Sequence, residues 1–211
     1  MSGLKAFTSK HWQFLLNIYI FLNIAGYAGY QTYNTWQEGR LDFVEISFAT
    51  QTVIMLAFIL LRLKHKAVDS NYFHQTIALF AFFSGLLFMG QQPTGGEIAG
   101  SISSWVIFIS NILGIITLLN LGRSFGILIA LRKVKTGGLY SVVRHPMYGT
   151  DILLRIGFLI SHFNIFTLGV FILSVAAYIY RAILEERFLR QDSEYIEYMQ
   201  QVRYRLIPYV F

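Results

Sequence analysis

Ile98–Leu121 reads IAGSISSWVIFISNILGIITLLNL, 24 residues without a charged side chain. As a helix it rises about 36 Å, more than the ~30 Å hydrocarbon core of a bilayer. This stretch decides the fold class, and five others support it. Trp12–Tyr30, Phe43–Leu61, Tyr72–Gly90, Gly149–Phe163 and Ile165–Leu184 are also apolar, so six candidate crossings use more than half of the 211 residues. The charged fraction, 13%, is about half that of an ordinary soluble domain, while 55% of the chain is hydrophobic. The expected architecture is all-α: a polytopic membrane helical bundle of about six transmembrane helices, in one integral domain over 1–211. Residues 1–121 supply a four-helix membrane part. Residues 122–211 supply a basic loop, a helical hairpin and a carboxyl-terminal amphipathic helix.

Fifteen of the 17 basic residues fall at the amino terminus (Lys5, Lys10), in the even-numbered loops, or beyond the start of the last helix's final turns. Arg40 is alone in an odd-numbered loop, and Arg155 lies inside the fifth stretch. The positive-inside rule then puts both termini in the cytoplasm, which requires an even number of crossings. The net charge of +6 reads as membrane topology and not as a nucleic-acid footprint. The absence of cysteine excludes disulfides, thiolate metal sites and Cys nucleophiles, and no residue pair has metal-ligand spacing. Trp12, Tyr30, Tyr33, Trp36 and Tyr72 fit interfacial belts. The polar residues of the first four stretches, among them Asn17, Asn23, Gln51, Thr52, His74, Gln75, Ser103 and Asn111, read as helix–helix hydrogen-bonding groups.

Beyond Leu184, Phe188, Tyr195, Met199 and Val202 recur on one helical face, with Leu189 and Ile196 alongside. This predicts an amphipathic helix at the interface, stopped by Pro208.

Chemistry concentrates in the last 90 residues. Pro146 suits the first position of a helix and excludes His145 from helical geometry. The unpaired amides of that helix start, together with Arg144, form a site for a carboxylate or phosphate; contact with lipid headgroups explains the same residues. Asp151 and Arg155 share a helix face, where they form an ion pair or contact a ligand. Arg181 and Glu185 repeat that spacing, so one glutamate of the Glu185-Glu186 doublet has its own cation. A short turn near His162–Asn164 makes the last two crossings a hairpin, which brings Glu185 and Glu186 beside Arg144, His145 and Tyr148. Such a site suits a ligand of mixed charge.

The order Gly138-x-Tyr140, Arg144-His145-Pro146-x-Tyr148, a hydrophobic hairpin, Glu185-Glu186, then Tyr195-x-x-Tyr198 and Tyr204-Arg205-x-Ile207-Pro208 resembles the isoprenylcysteine carboxyl methyltransferases. These are integral membrane enzymes related to phospholipid N-methyltransferases. The resemblance implies S-adenosylmethionine as cofactor, bound from the cytosolic side by Gly138, Tyr140, His145, Pro146, Tyr148, Glu185 and Glu186. It implies Arg144, His145 and Glu186 as catalytic residues, no metal, and a lipophilic or small carboxylate, thiol or amine acceptor entering from the bilayer. Asp151 is shared with the NADPH-dependent membrane sterol reductases, which are similar over this region and form the alternative enzyme class. A non-enzymatic membrane scaffold explains the topology but not the meeting of the hairpin ends.

Overall fold

The chain's computed structural model describes the backbone of all residues except 1, 40 and 89, and the side chains of residues 18–211 apart from 40 and 89. The side chains of Lys5, Lys10, Trp12 and Asn17, and all of Arg40, lie outside the described residues. The fold is an all-α membrane bundle with, among the described residues, seven α-helices: α1 (Ser2–Gln37), α2 (Phe43–Leu61), α3 (Tyr72–Phe83), α4 (Glu97–Leu121), α5 (Pro146–Ser161), α6 (Ile165–Leu189) and α7 (Ser193–Gln201). Of these, α2, α4 and α6 are long and apolar enough to cross a membrane. The third stretch is a composite. The twelve residues of α3 tighten into a 3-10 segment, Ser84–Phe88, and the two together rise about 28 Å.

Sequence chemistry sets the helix starts. Asp42 caps α2 by accepting from Val44 N and Glu45 N, and Asn71 caps α3 by accepting from Phe73 N. Asn164 and Thr167 form a reciprocal capping box on α6, the arrangement that satisfies two orphan donors at once. The turn from α5 to α6 is therefore only three residues long, and the two helices form the expected hairpin.

Helix α5, 16 residues long, packs closely against α4. Ser103 Oγ donates to Gly157 O and Ser110 Oγ to Thr150 O, both at 2.7 Å, tying α4 to α5. Gly157 permits that approach, since a Cβ there would stand 2.6 Å from Ile107 Cγ1. Other polar residues of the helices serve similar ends: Asn111 Nδ2 donates to Ser47 Oγ across α4 and α2. Gln75 does something the pattern did not predict. Its amide donates to Asp69 O and Ile129 O and accepts from Ile129 N, pinning a loop against α3.

That loop, 122–145, contains most of the non-helical order. A two-residue antiparallel pair joins β1 (Ala67–Val68) to β2 (Ala130–Leu131), with Leu63 N donating to Arg123 O and Lys66 N to Leu131 O. The amphipathic helix differs from expectation in extent. Helix α6 stops at Leu189, Asp192 caps a separate α7, and α7 ends at Gln201, well before Pro208. Its Tyr195 and Tyr198 are buried with Val202 against Tyr140 inside the protein, while Ile196 is exposed.

Candidate functional site

Pro146 is the first residue of α5, and His145 before it has φ −126° and ψ 58°, outside the helical region as the proline requires. The same turn is braced by the chain end: Arg144 N donates to Tyr204 O and His145 N to Arg205 O. Opposite, the last turns of α6 present Glu185 and Glu186. The predicted meeting of the hairpin ends is present, and the two glutamates divide their partners sharply.

Glu186 is 1% exposed. Its Oε1 accepts from Arg144 Nε at 2.8 Å and lies 3.3 Å from His145 Nε2, and its Oε2 accepts from Arg205 Nε at 3.0 Å. Arg144 Nη1 donates further to the carbonyls of Val202 and Arg203. The doublet's neutralised member is thus Glu186, and its cations come from the Arg-His-Pro turn and the tail. Arg181 does not neutralise Glu185 by an ion pair. It donates to Ala78 O and Ile127 O and stacks its guanidinium 4.9 Å from the centre of the Tyr148 ring.

Glu185 accepts a short hydrogen bond from the Tyr148 hydroxyl on one oxygen, and its other oxygen has no partner among the described residues. The His145 ring stacks on Tyr148 with centroids 5.1 Å apart and planes inclined by 6°. Glu185, Tyr148, His145, Arg144 and Tyr140 all line a cavity that is partly open to solvent. Phe82, Leu121, Phe125, Ile127 and Met147 give it apolar wall, and Arg132, Asp151, Tyr195 and Tyr198 add polar atoms.

Three expected site residues stand behind this wall and do not line it. Glu186 buttresses Arg144 and His145. Pro146 is buried at the helix start. Gly138 has φ +63°, and a Cβ there would meet Asn120 Nδ2 at 2.2 Å, so glycine is needed both for the left-handed turn and for the seat against α4. That turn places Tyr140, whose carbonyl accepts from the Tyr198 hydroxyl at 2.6 Å.

The expected Asp151–Arg155 ion pair is replaced by two separate arrangements. Asp151 Oδ2 accepts from the Tyr178 hydroxyl at 2.6 Å, whereas Arg155 donates to the backbone carbonyls of Asp151 and Ala81 and to Ser84 Oγ. The broken end of α3 offers carbonyl oxygens to Arg155, and the carboxylate is left to Tyr178. Sequence reasoning also missed Arg132, counted only as a loop charge, and Arg205, seen only within a terminal motif. No periodicity marks either, because both reach the site by tertiary placement of loop backbone.

Residues 98–192, from α4 to the cap of α7, match the family model of the phospholipid methyltransferases, a family related to the isoprenylcysteine carboxyl methyltransferases. The match takes in both arms of the hairpin and stops short of α7 and the tail. A comparison with curated proteins gives no match.

Proposed function

We propose that the chain is an S-adenosylmethionine-dependent methyltransferase whose acceptor, a lipophilic or small carboxylate, thiol or amine, reaches the cavity from the bilayer. The observation that carries this reading is a cavity with both an acid and a cation available: among the described residues one oxygen of Glu185 accepts no hydrogen bond and Arg132 makes no ion pair. A ligand with an ammonium and a carboxylate fits that pair, and the aromatic faces of Tyr140, Tyr148 and Phe125 suit a sulfonium and a planar base. The orphaned, buried Tyr195 hydroxyl and Arg132 Nε are further polar atoms left for a ligand to satisfy.

Glu185, Tyr148 and Tyr140 would hold the cofactor, with His145 fixed between Tyr148 and Glu186. Bound S-adenosylmethionine supplies an electrophilic methyl group that needs no metal and no covalent enzyme intermediate. The chain's own task is alignment and exclusion of water. Phe82, Leu121, Ile127 and Met147 form the dry wall. Glu185 is the proton acceptor for an amine, and Arg144, anchored by Glu186, orients a carboxylate or thiolate. Glu186 acts through Arg144 and His145 as a positioning residue.

In the same reading the bundle makes six crossings as one integral domain, with both termini and the cavity mouth on the cytoplasmic side. Incubating purified protein with methyl-labelled S-adenosylmethionine and a lipid extract tests the activity. Label transferred to an extractable product is expected; none with any lipid or small acceptor, together with NADPH oxidation by the same sample, would replace the reading with a reductase.

A further inference from the structure

At the cavity and the hairpin packed against it, Arg144, Arg155 and Arg181 are already held by protein acceptors. Arg144 bonds Glu186 and two tail carbonyls, Arg155 the end of α3, and Arg181 the carbonyls of Ala78 and Ile127. Arg132 differs: among the described residues its side chain makes no hydrogen bond and no ion pair, and it lines the cavity; its Nε, like those of Arg155 and Arg181, is sealed from solvent without a partner.

The fold holds it there. The β1–β2 pair fixes the backbone just before it, with Lys66 N donating to Leu131 O at 2.7 Å. Gly126 clears the space for the side chain, since a Cβ at that position would stand 2.5 Å from Arg132 Cζ. Its charged surroundings are mostly of its own sign. Burial first, then Arg62, with Arg181 adding to it, lowers Arg132 to about 10 against the opposing pull of Glu185. Burial, Arg132 and Arg62 likewise keep His65 low. Arg132 is thus still charged at neutral pH, half-buried, and without an ion-pair partner among the described residues, a state that a counter-charge would relieve.

We propose that Arg132 is the anion-recognition residue of the cavity, receiving a carboxylate or phosphate of the ligand on its guanidinium fork. The planar fork presents paired donors that match either group. The inference rests on the methyltransferase reading for the two sources of that anion: the amino-acid end of the cofactor, or the phosphate of a phospholipid acceptor.

The experiment is calorimetric titration of the full chain in detergent with three probes: S-adenosylhomocysteine, 5′-methylthioadenosine, which lacks the amino-acid end, and a short-chain phospholipid. The variants are Arg132→Gln, Arg132→Lys and Gly126→Ala; the last keeps the charge and pushes the guanidinium aside. If the cofactor supplies the anion, Arg132→Gln weakens S-adenosylhomocysteine about 10- to 100-fold, the scale of a lost bond to a charged group. Methylthioadenosine is then unchanged, and Gly126→Ala follows the glutamine variant. If the acceptor supplies it, the loss appears with the phospholipid alone. Unchanged affinity for both anionic probes overturns the inference, as does an equal loss for S-adenosylhomocysteine and methylthioadenosine. A wild type that binds no S-adenosylhomocysteine overturns the methyltransferase reading itself, and this inference with it.

Discussion

Arg144 and Glu186, 42 residues apart, share a buried 2.8 Å hydrogen bond that joins the Arg-His-Pro turn to the end of the helical hairpin. Since Arg205 and His145 converge on the same carboxylate, Glu186 is the anion that three basic side chains share. Breaking a buried pair from one side costs about 3–5 kcal/mol, because the remaining charges stay buried. Glu186→Gln is therefore expected to lower the unfolding temperature in detergent markedly and to loosen the tail. Glu185→Gln, at a half-buried carboxylate that accepts from Tyr148 and lies 4.0 Å from His145 Nδ1, should change stability by about 1 kcal/mol or less while abolishing ligand binding. Equal stability of the two variants in a thermal unfolding assay would contradict this division of labour.

How much of this was legible differs from residue to residue. The spans of α2, α4 and α6 follow from uninterrupted apolar runs, and the hairpin follows from the short polar turn at His162–Asn164, because membrane burial acts on sequence locally. The helix start at Pro146 was equally legible, since proline's missing amide and its effect on His145 are local chemistry. The partners of charged groups were not. Arg155 and Asp151 are four residues apart on one helix, yet Arg155 goes to the opened end of α3, whose 3-10 turn frees carbonyl oxygens that no pattern in residues 72–88 announces. The same holds for Glu186, whose partner Arg205 comes from a tail segment brought back by backbone bonds to residues 144 and 145.

Asp151 and Tyr178 supply a test of that point by a double-mutant cycle. Their side chains are directly bonded, whereas Asp151 meets Arg155 through its backbone carbonyl. Combining Asp151→Asn with Tyr178→Phe should show a coupling energy of about 1 kcal/mol, and combining it with Arg155→Gln a distinctly smaller one. Unfolding midpoints in a denaturing detergent series give both values. A larger coupling with Arg155 would restore the ion pair.

The tyrosines around α7 predict an alkaline sensitivity. Burial pushes the Tyr140, Tyr195 and Tyr198 hydroxyls above their ordinary value, with Glu185 adding at Tyr140 and Glu186 at Tyr195, while Arg144 opposes the shift at Tyr198. An unfolded tyrosine ionises near pH ~10, and the folded ones do not. Above that pH the unfolded state binds fewer protons, so stability is full below about 10 and falls as pH rises. Ultraviolet titration should show these tyrosinates appearing only as the chain unfolds, and Tyr198→Phe should flatten the decline. Three tyrosinates forming near pH 10 in the folded protein would contradict the buried cluster.

The most direct measurement for the central claim is equilibrium binding of S-adenosylhomocysteine and of NADPH to the detergent-purified protein, wild type beside Glu185→Gln. The cavity chemistry predicts one S-adenosylhomocysteine per chain, binding lost in Glu185→Gln without loss of fold, and no binding of NADPH. NADPH binding by the wild type, with none of S-adenosylhomocysteine, would contradict it.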